Sequence, residues 1–128
     1  MSIVIRLPFP HASLFPNRRN GTHYRTTSAI KNKQRADAYS LTKAAGTYTA
    51  PDGYIPITCL FLAPDGRRRD GDNMLAAAKA LLDGMAQALG VDDSRFKPIF
   101  VDWARGPDKV GALIVGVGVS IVSAVDIG

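Results

Sequence analysis

The amino-acid sequence predicts a single small α+β (mixed α/β) domain over residues 1–128, with helices packed on a mixed sheet in the order β-α-β-α-β-β. Three observations predict it. Residues 2–9, 54–63, 98–105 and 111–123 alternate apolar and polar positions or run apolar and β-branched, as strands do. Residues 28–45 and 72–89 space their apolar side chains as helices do, and each stretch ends at a glycine, Gly46 or Gly90. No repeat or linker divides the chain, and its 128 residues with a 46% hydrophobic fraction suffice for one buried core.

Each element has its own signals. In residues 2–9, Ile3, Ile5 and Leu7 alternate with Val4 and Arg6, and Pro8 and Pro10 close the strand. Residues 11–27, rich in Pro, Asn, Gly and Arg, read as an exposed basic loop. Ser28 is the expected N-cap of a helix that runs to about residue 45. The turn Pro51-Asp52-Gly53 leads to the second strand, whose start Pro56 places at a sheet edge or outside the ladder. After Pro64-Asp65-Gly66, a helix is expected from Asp72 or Asn73 to Gly90. Leu75, Ala78, Leu81, Leu82, Met85 and Leu89 form its apolar stripe. Gly106-Pro107-Asp108 turns the third strand into a fourth, with Val115, Val117, Val119 and Ile121 on one side.

Charge narrows the function. Seven bases precede the first acid, Asp37, and Arg67, Arg68 and Arg69 stand directly before Asp70. Segregated positive charge attracts polyanions, because phosphate contacts release condensed counterions. A solvated basic face is the plainer alternative. No stretch joins bases to a large apolar helical face, so a membrane partner is not expected, and neither is a small-molecule substrate. The most apolar run, residues 110–125, is too short for a bilayer and is broken by Gly111, Gly116 and Gly118. The opening residues lack a signal-peptide pattern, and the lone Cys59 has no partner for an internal disulfide. The expected compartment is the cytoplasm.

All eleven acids are aspartate, and four form two tight pairs: Asp70 with Asp72, and Asp92 with Asp93. On a still-extended chain, Asp70 and Asp72 point the same way and can share a cation. A return of the chain after Gly90 would bring one of the second pair beside them. Three carboxylates suit Mg²⁺, with Mn²⁺ substituting. The one cysteine and the histidines His11 and His23 lack zinc spacing. Such a cation activates water for phosphodiester cleavage. The alternative is that both pairs are helix and turn caps. Lys79 shares a helical stripe with Asp72, where its ammonium would meet a phosphate; alternatively it forms a surface pair with Asp83. Arg18, Arg19 and Arg25, with Arg67, Arg68 and Arg69, are the expected DNA contacts. Phe15 and Tyr24 either wedge a branch point or pack the loop. Trp103 is core or dimer interface, and Asp102 is an accessory ligand or an outward-facing polar residue.

Taken together, these motifs resemble the RusA family of Holliday-junction resolvases of bacteria and their phages. The resemblance is most specific over residues 64–94: P-D-G-R-R-R-D-G-D-N, a helix with K-x-x-x-D-G, then G-V-D-D-S. It extends to the N-terminal L-P-F-P and P-N-R-R. The resemblance implies a RusA-like mixed α/β homodimer that binds a four-way DNA junction and makes paired, symmetric nicks with Mg²⁺. It assigns Asp70, Asp72 and Asp93 as metal and catalytic carboxylates, with Asp92 positioning the turn, and Lys79 as the family lysine. In the family pattern that lysine falls about a turn sooner, at the position Ala76 fills. Two other classes stay open: a DNA-binding protein of the same fold without turnover, and a small interaction protein.

Overall fold

The computed structural model describes residues 2–16 and 24–118, the side chains of 24–26 excepted. The architecture is the expected small α+β domain. Strand β1 (Ile3–Leu7) is followed by a 3₁₀ turn (Ala12–Leu14) and helix α1 (Tyr24–Ala45). Next come β2 (Ile55–Ala63), α2 (Gly71–Ala77), α3 (Lys79–Leu89), a second 3₁₀ turn (Asp93–Arg95), β3 (Phe96–Arg105) and β4 (Ala112–Val117). The sheet order is β1-β4-β2-β3, with β4 antiparallel to both neighbours and β3 parallel to β2.

Register explains where the core lies. Directly paired residues share a sheet face, so the pairings align Ile3, Val117 and Ile57 in one row. Ile5, Val115, Cys59 and Val101 form the next, and Leu7, Leu113, Phe61 and Trp103 the last. Every member on β1, β4 and β2 is buried, in one cluster with Ala38, Met74, Leu81, Leu82 and Met85 of the helices. The edge strand β3 is less covered, and Trp103 remains 48% exposed. The bulge between Ile55 and Ile57 falls at Pro56, which has no N–H to give the ladder.

Three expectations need correction. The first helix starts at Tyr24 rather than at Ser28, because nothing in Tyr-Arg-Thr-Thr breaks it, so the basic loop ends earlier. The start of that loop is exposed only in part: His11, Ala12 and Pro16 are exposed, but Leu14 and Phe15 are buried, and His11 caps the 3₁₀ turn by accepting the Ser13 N–H at 3.1 Å. The second helix is two segments. At Ala78 the N–H is shared between the carbonyls of Met74 (3.1 Å) and Leu75 (3.2 Å), a local tightening that ends α2. The Ala78 carbonyl then accepts from Leu82 N–H at 3.0 Å and opens α3. Gly90, left-handed at φ 75°, closes α3 as expected. Val119 and Ile121 lie outside the described residues, and β4 ends at Val117.

α1 and α3 make the tightest helix contact. The buried stripe of α1 consists of small or polar residues (Thr27, Gln34, Ala38, Thr42), which explains its weak amphipathic pattern. Opposite it on α3 lies Gly84, where a Cβ would stand 2.1 Å from the Arg35 carbonyl oxygen. That crossing sets the position of α3 and the side chains it carries.

Candidate nucleic-acid interface and acidic residues

The chain leaving β1 and the loop leaving β2 enclose a cleft of about 690 Å³. Its lining includes Phe9, Phe15, Arg67, Arg68, Arg69, Asp70 and Asn73, and the β3–β4 turn adds Lys109 and Val110. Phe9 ties the cleft to the core: it meets the Phe61 ring edge-on with centroids 6.3 Å apart, and stacks on Phe15 at 6.0 Å. Phe15 therefore packs the loop. Four cations face this cleft against two acids, Asp65 and Asp70, so its field favours a polyanion.

The three arginines divide in role. Arg69 has only 15% of its side chain exposed. Its guanidinium lies 5.3 Å from the Phe9 ring centroid, 3.0 Å from Asp65 Oδ1 and 3.2 Å from the Arg67 carbonyl. Arg69 is thus spent on holding the loop. The Arg67 N–H donates to Asp65 Oδ1 at 2.9 Å, while its side chain stays exposed. That N–H, and then Arg69, hold the Asp65 carboxyl below the usual aspartate range. Arg67 and Arg68 are the two that present charge to solvent. Arg18 and Arg19, like His23, lie outside the described residues, as do the side chains of Tyr24 and Arg25.

Asp70 is the N-cap of α2. With extended backbone (φ −114°, ψ 158°), it accepts the Asn73 N–H on Oδ1 at 2.9 Å and Asn73 Nδ2 on Oδ2 at 3.0 Å. The helix begins at Gly71, so Asp72 sits in its first turn, exposed. The expected alternation of Asp70 and Asp72 required an extended chain through both, and the helix starts too early for that. Asp92 caps the second 3₁₀ turn by accepting the Ser94 N–H at 2.9 Å. It positions the turn, as expected.

The chain does return after Gly90, but it brings Asp93 to Lys79 and Asp83 and not into a cluster with Asp70 and Asp72. Asp93 comes back along α3, and Lys79 Nζ donates to its Oδ2 at 2.8 Å and to Asp83 Oδ1 at 2.9 Å. The ammonium bridges two carboxylates. The Lys79 hydrogen bond first, and then Asp83, hold Asp93 below the ordinary aspartate value. Asp93 and Asp83 in turn push the Lys79 ammonium up. Asp83 was legible only as an i, i+4 partner of Lys79; its place beside Asp93 is a tertiary contact.

All-oxygen donors suit Mg²⁺ in kind. They do not fit it in arrangement: among the described residues, no three acidic, histidine or cysteine side chains stand close enough to hold a metal ion. Asp70 is turned to its helix, and Asp93 to Lys79. Asp102 is exposed and accepts the Trp103 N–H at 2.8 Å, an outward-facing polar residue on the edge strand. The Trp103 ring lies against the mouth of α2, where a Cβ on Gly71 would come within 3.1 Å of it. Sequence reasoning missed Lys109, a lone base in a turn that only the fold brings to the arginines. No helix among the described residues is long and apolar enough to cross a membrane.

No protein-family model matches the chain. A protein of Xylella fastidiosa (strain Temecula1 / ATCC 700964), described only as an uncharacterized protein, is 34% identical to it over 118 residues. The match covers 88% of this chain and 76% of that protein. At that identity and coverage, the chain belongs to the same family as the Xylella fastidiosa protein.

Proposed function

We propose that this protein is a structure-selective endodeoxyribonuclease of the RusA type, a homodimer that nicks four-way DNA junctions in the cytoplasm and requires Mg²⁺. The observation that carries this reading is the cleft in which Arg67, Arg68 and Lys109 gather and which Asp70, at the mouth of α2, also lines. A phosphate backbone held by those cations would lie in the same cleft as the acidic helix mouth. Phosphate contacts of this kind position a duplex without reading its sequence. The same helical region carries Lys79 with Asp83 and Asp93, a cation beside carboxylates. The dimer is supported by the exposed apolar side chains of β3: Ile99, Phe100 and Trp103. A twofold protein presents two equivalent sites to a pseudo-twofold junction. Asp70, Asp72 and Asp93 are the proposed acidic residues. Because they do not stand together here, the metal enters as a requirement to be measured.

A labelled, mobile four-way junction incubated with Mg²⁺ or Mn²⁺ tests the proposal. Paired nicks are expected, and they should vanish with EDTA and in Asp70→Asn and Asp72→Asn, while both variants still bind. Wild-type cutting rates in both variants would overturn the assignment. A second reading, junction binding without turnover, is favoured by the grip of Lys79 on Asp93. It expects salt-sensitive binding and intact strands under every divalent metal.

A further inference from the structure

The turn between β3 and β4 walls the cleft with Lys109 and Val110. Val110 is 79% exposed there, more than any other large hydrophobic residue on the described surface. An apolar side chain so open to water usually marks a floppy tip, but this turn is braced on both sides. Asp108 Oδ1 accepts the N–H groups of Val110 (3.0 Å) and Gly111 (2.9 Å). The Gly106 N–H donates to the Ala63 carbonyl at 2.8 Å. Gly111, at φ +77°, sits so close to the cleft floor that a Cβ would be 2.8 Å from the Leu62 carbonyl oxygen and 3.1 Å from the Phe9 Cβ. Only glycine allows the turn to be seated there. The result is a braced tip that holds an apolar side chain and an ammonium side by side at a cationic cleft.

Building on the nuclease reading above, we propose that this turn is the element that recognises the branch: Lys109 holds a backbone phosphate while Val110 covers the open stacking face of a base pair at the junction centre. The pairing of residues argues for it. Arg67, Arg68 and Lys109 supply the charge complement of a phosphate backbone, which any duplex satisfies equally. An aliphatic side chain gains little from an intact duplex, whose base faces are stacked and whose grooves offer it only thymine methyls. Where stacking is interrupted, it replaces water against an apolar base face, as the apolar wedges of DNA-bending proteins do. Valine has no hydrogen-bonding group with which to read a base edge, so it selects structure over sequence. Because hydrogen bonds already brace the turn, its backbone needs little further ordering for insertion.

The test compares a four-way junction carrying 2-aminopurine at the branch with a linear duplex of the same arm sequence, without divalent metal. Wild-type protein should prefer the junction and brighten the probe as the base unstacks. Val110→Ser should keep its duplex affinity and lose about tenfold of its junction preference, about 1.4 kcal/mol, together with the brightening. Val110→Leu should retain both. Lys109→Gln should weaken junction and duplex alike and reduce the salt slope by about one. Unchanged preference and probe signal in Val110→Ser would overturn this inference while leaving the nuclease reading intact. So would a change in oligomeric state with DNA binding unaltered, which would give the tip to a second copy of the chain. Failure of the wild type to bind junctions would remove both.

Discussion

Replacing Gly84 with alanine sets two effects of known sign against each other. In a helix interior, alanine is favoured over glycine by about 1 kcal/mol. Against that, the new methyl would lie 2.1 Å from the carbonyl oxygen of Arg35 and 2.9 Å from its carbonyl carbon. Normal contact requires roughly another ångström or more. The opposing atoms are backbone in the middle of α1, so no side chain can swing away, and the two helices must part. Overpacking of this kind costs about 1–3 kcal/mol, and a rigid backbone partner places it at the upper end. The net loss is about 1–2 kcal/mol, or roughly 4–8 °C in Tm for a chain of this length. Thermal melts by circular dichroism of wild type and Gly84→Ala read it directly. A Tm that rises, as helix propensity alone dictates, would show that α1 and α3 do not meet at Gly84, and with that the support for Asp83 and Lys79 would go.

The remaining predictions concern charge and burial. Asp70→Ala removes the α2 cap and should cost about 1 kcal/mol, whereas Asp70→Asn keeps a good capping side chain and should melt near wild type; equal losses would deny Asp70 its capping role. Lys79→Met should lower stability by less than about 1 kcal/mol, because the bridge is open to solvent. Its clearer signature is the Asp93 carboxyl resonance, whose midpoint should move up from its lowered native position; an unmoved midpoint would dissolve the bridge. The depressed Asp93 contributes stability above the ordinary aspartate value of 3.8, which is lost as pH falls through its lower native value. The raised Lys79 contributes below its ordinary 10.5, and that contribution is lost as pH climbs through its higher native value. Burial pushes the Cys59 thiol up to about 12, so it should resist a thiol-specific disulfide reagent at pH 8 until the protein is unfolded; rapid reaction of the folded protein would contradict its burial.

Much of the fold was legible because local chemistry and tertiary position agree. Ile3, Ile5 and Leu7 alternate in sequence and are the residues buried in β1. Gly90 ends α3 because the left-handed turn there favours glycine. The acids were legible as caps from their short side chains, and Asp70 and Asp92 both cap. The break at Ala78 was not legible, since three consecutive alanines are strong helix formers and the tightening there is a matter of packing. Nor was the inward turn of Arg69: a run of three arginines looks alike in sequence, and only Phe9 and Asp65 single one out. The bridge from Lys79 to Asp93 spans fourteen positions, beyond any local pattern.

The joint at Ala78 also bears on how this family can vary in length. In an unbroken helix, each inserted residue swings everything downstream by about 100°. Here the downstream segment is held by its crossing with α1, and the short upstream segment, anchored separately by the buried Met74 and Ala77, meets it at a break in the helix. A change of length at the joint would therefore leave the mutual geometry of Lys79, Asp83 and Asp93 in place.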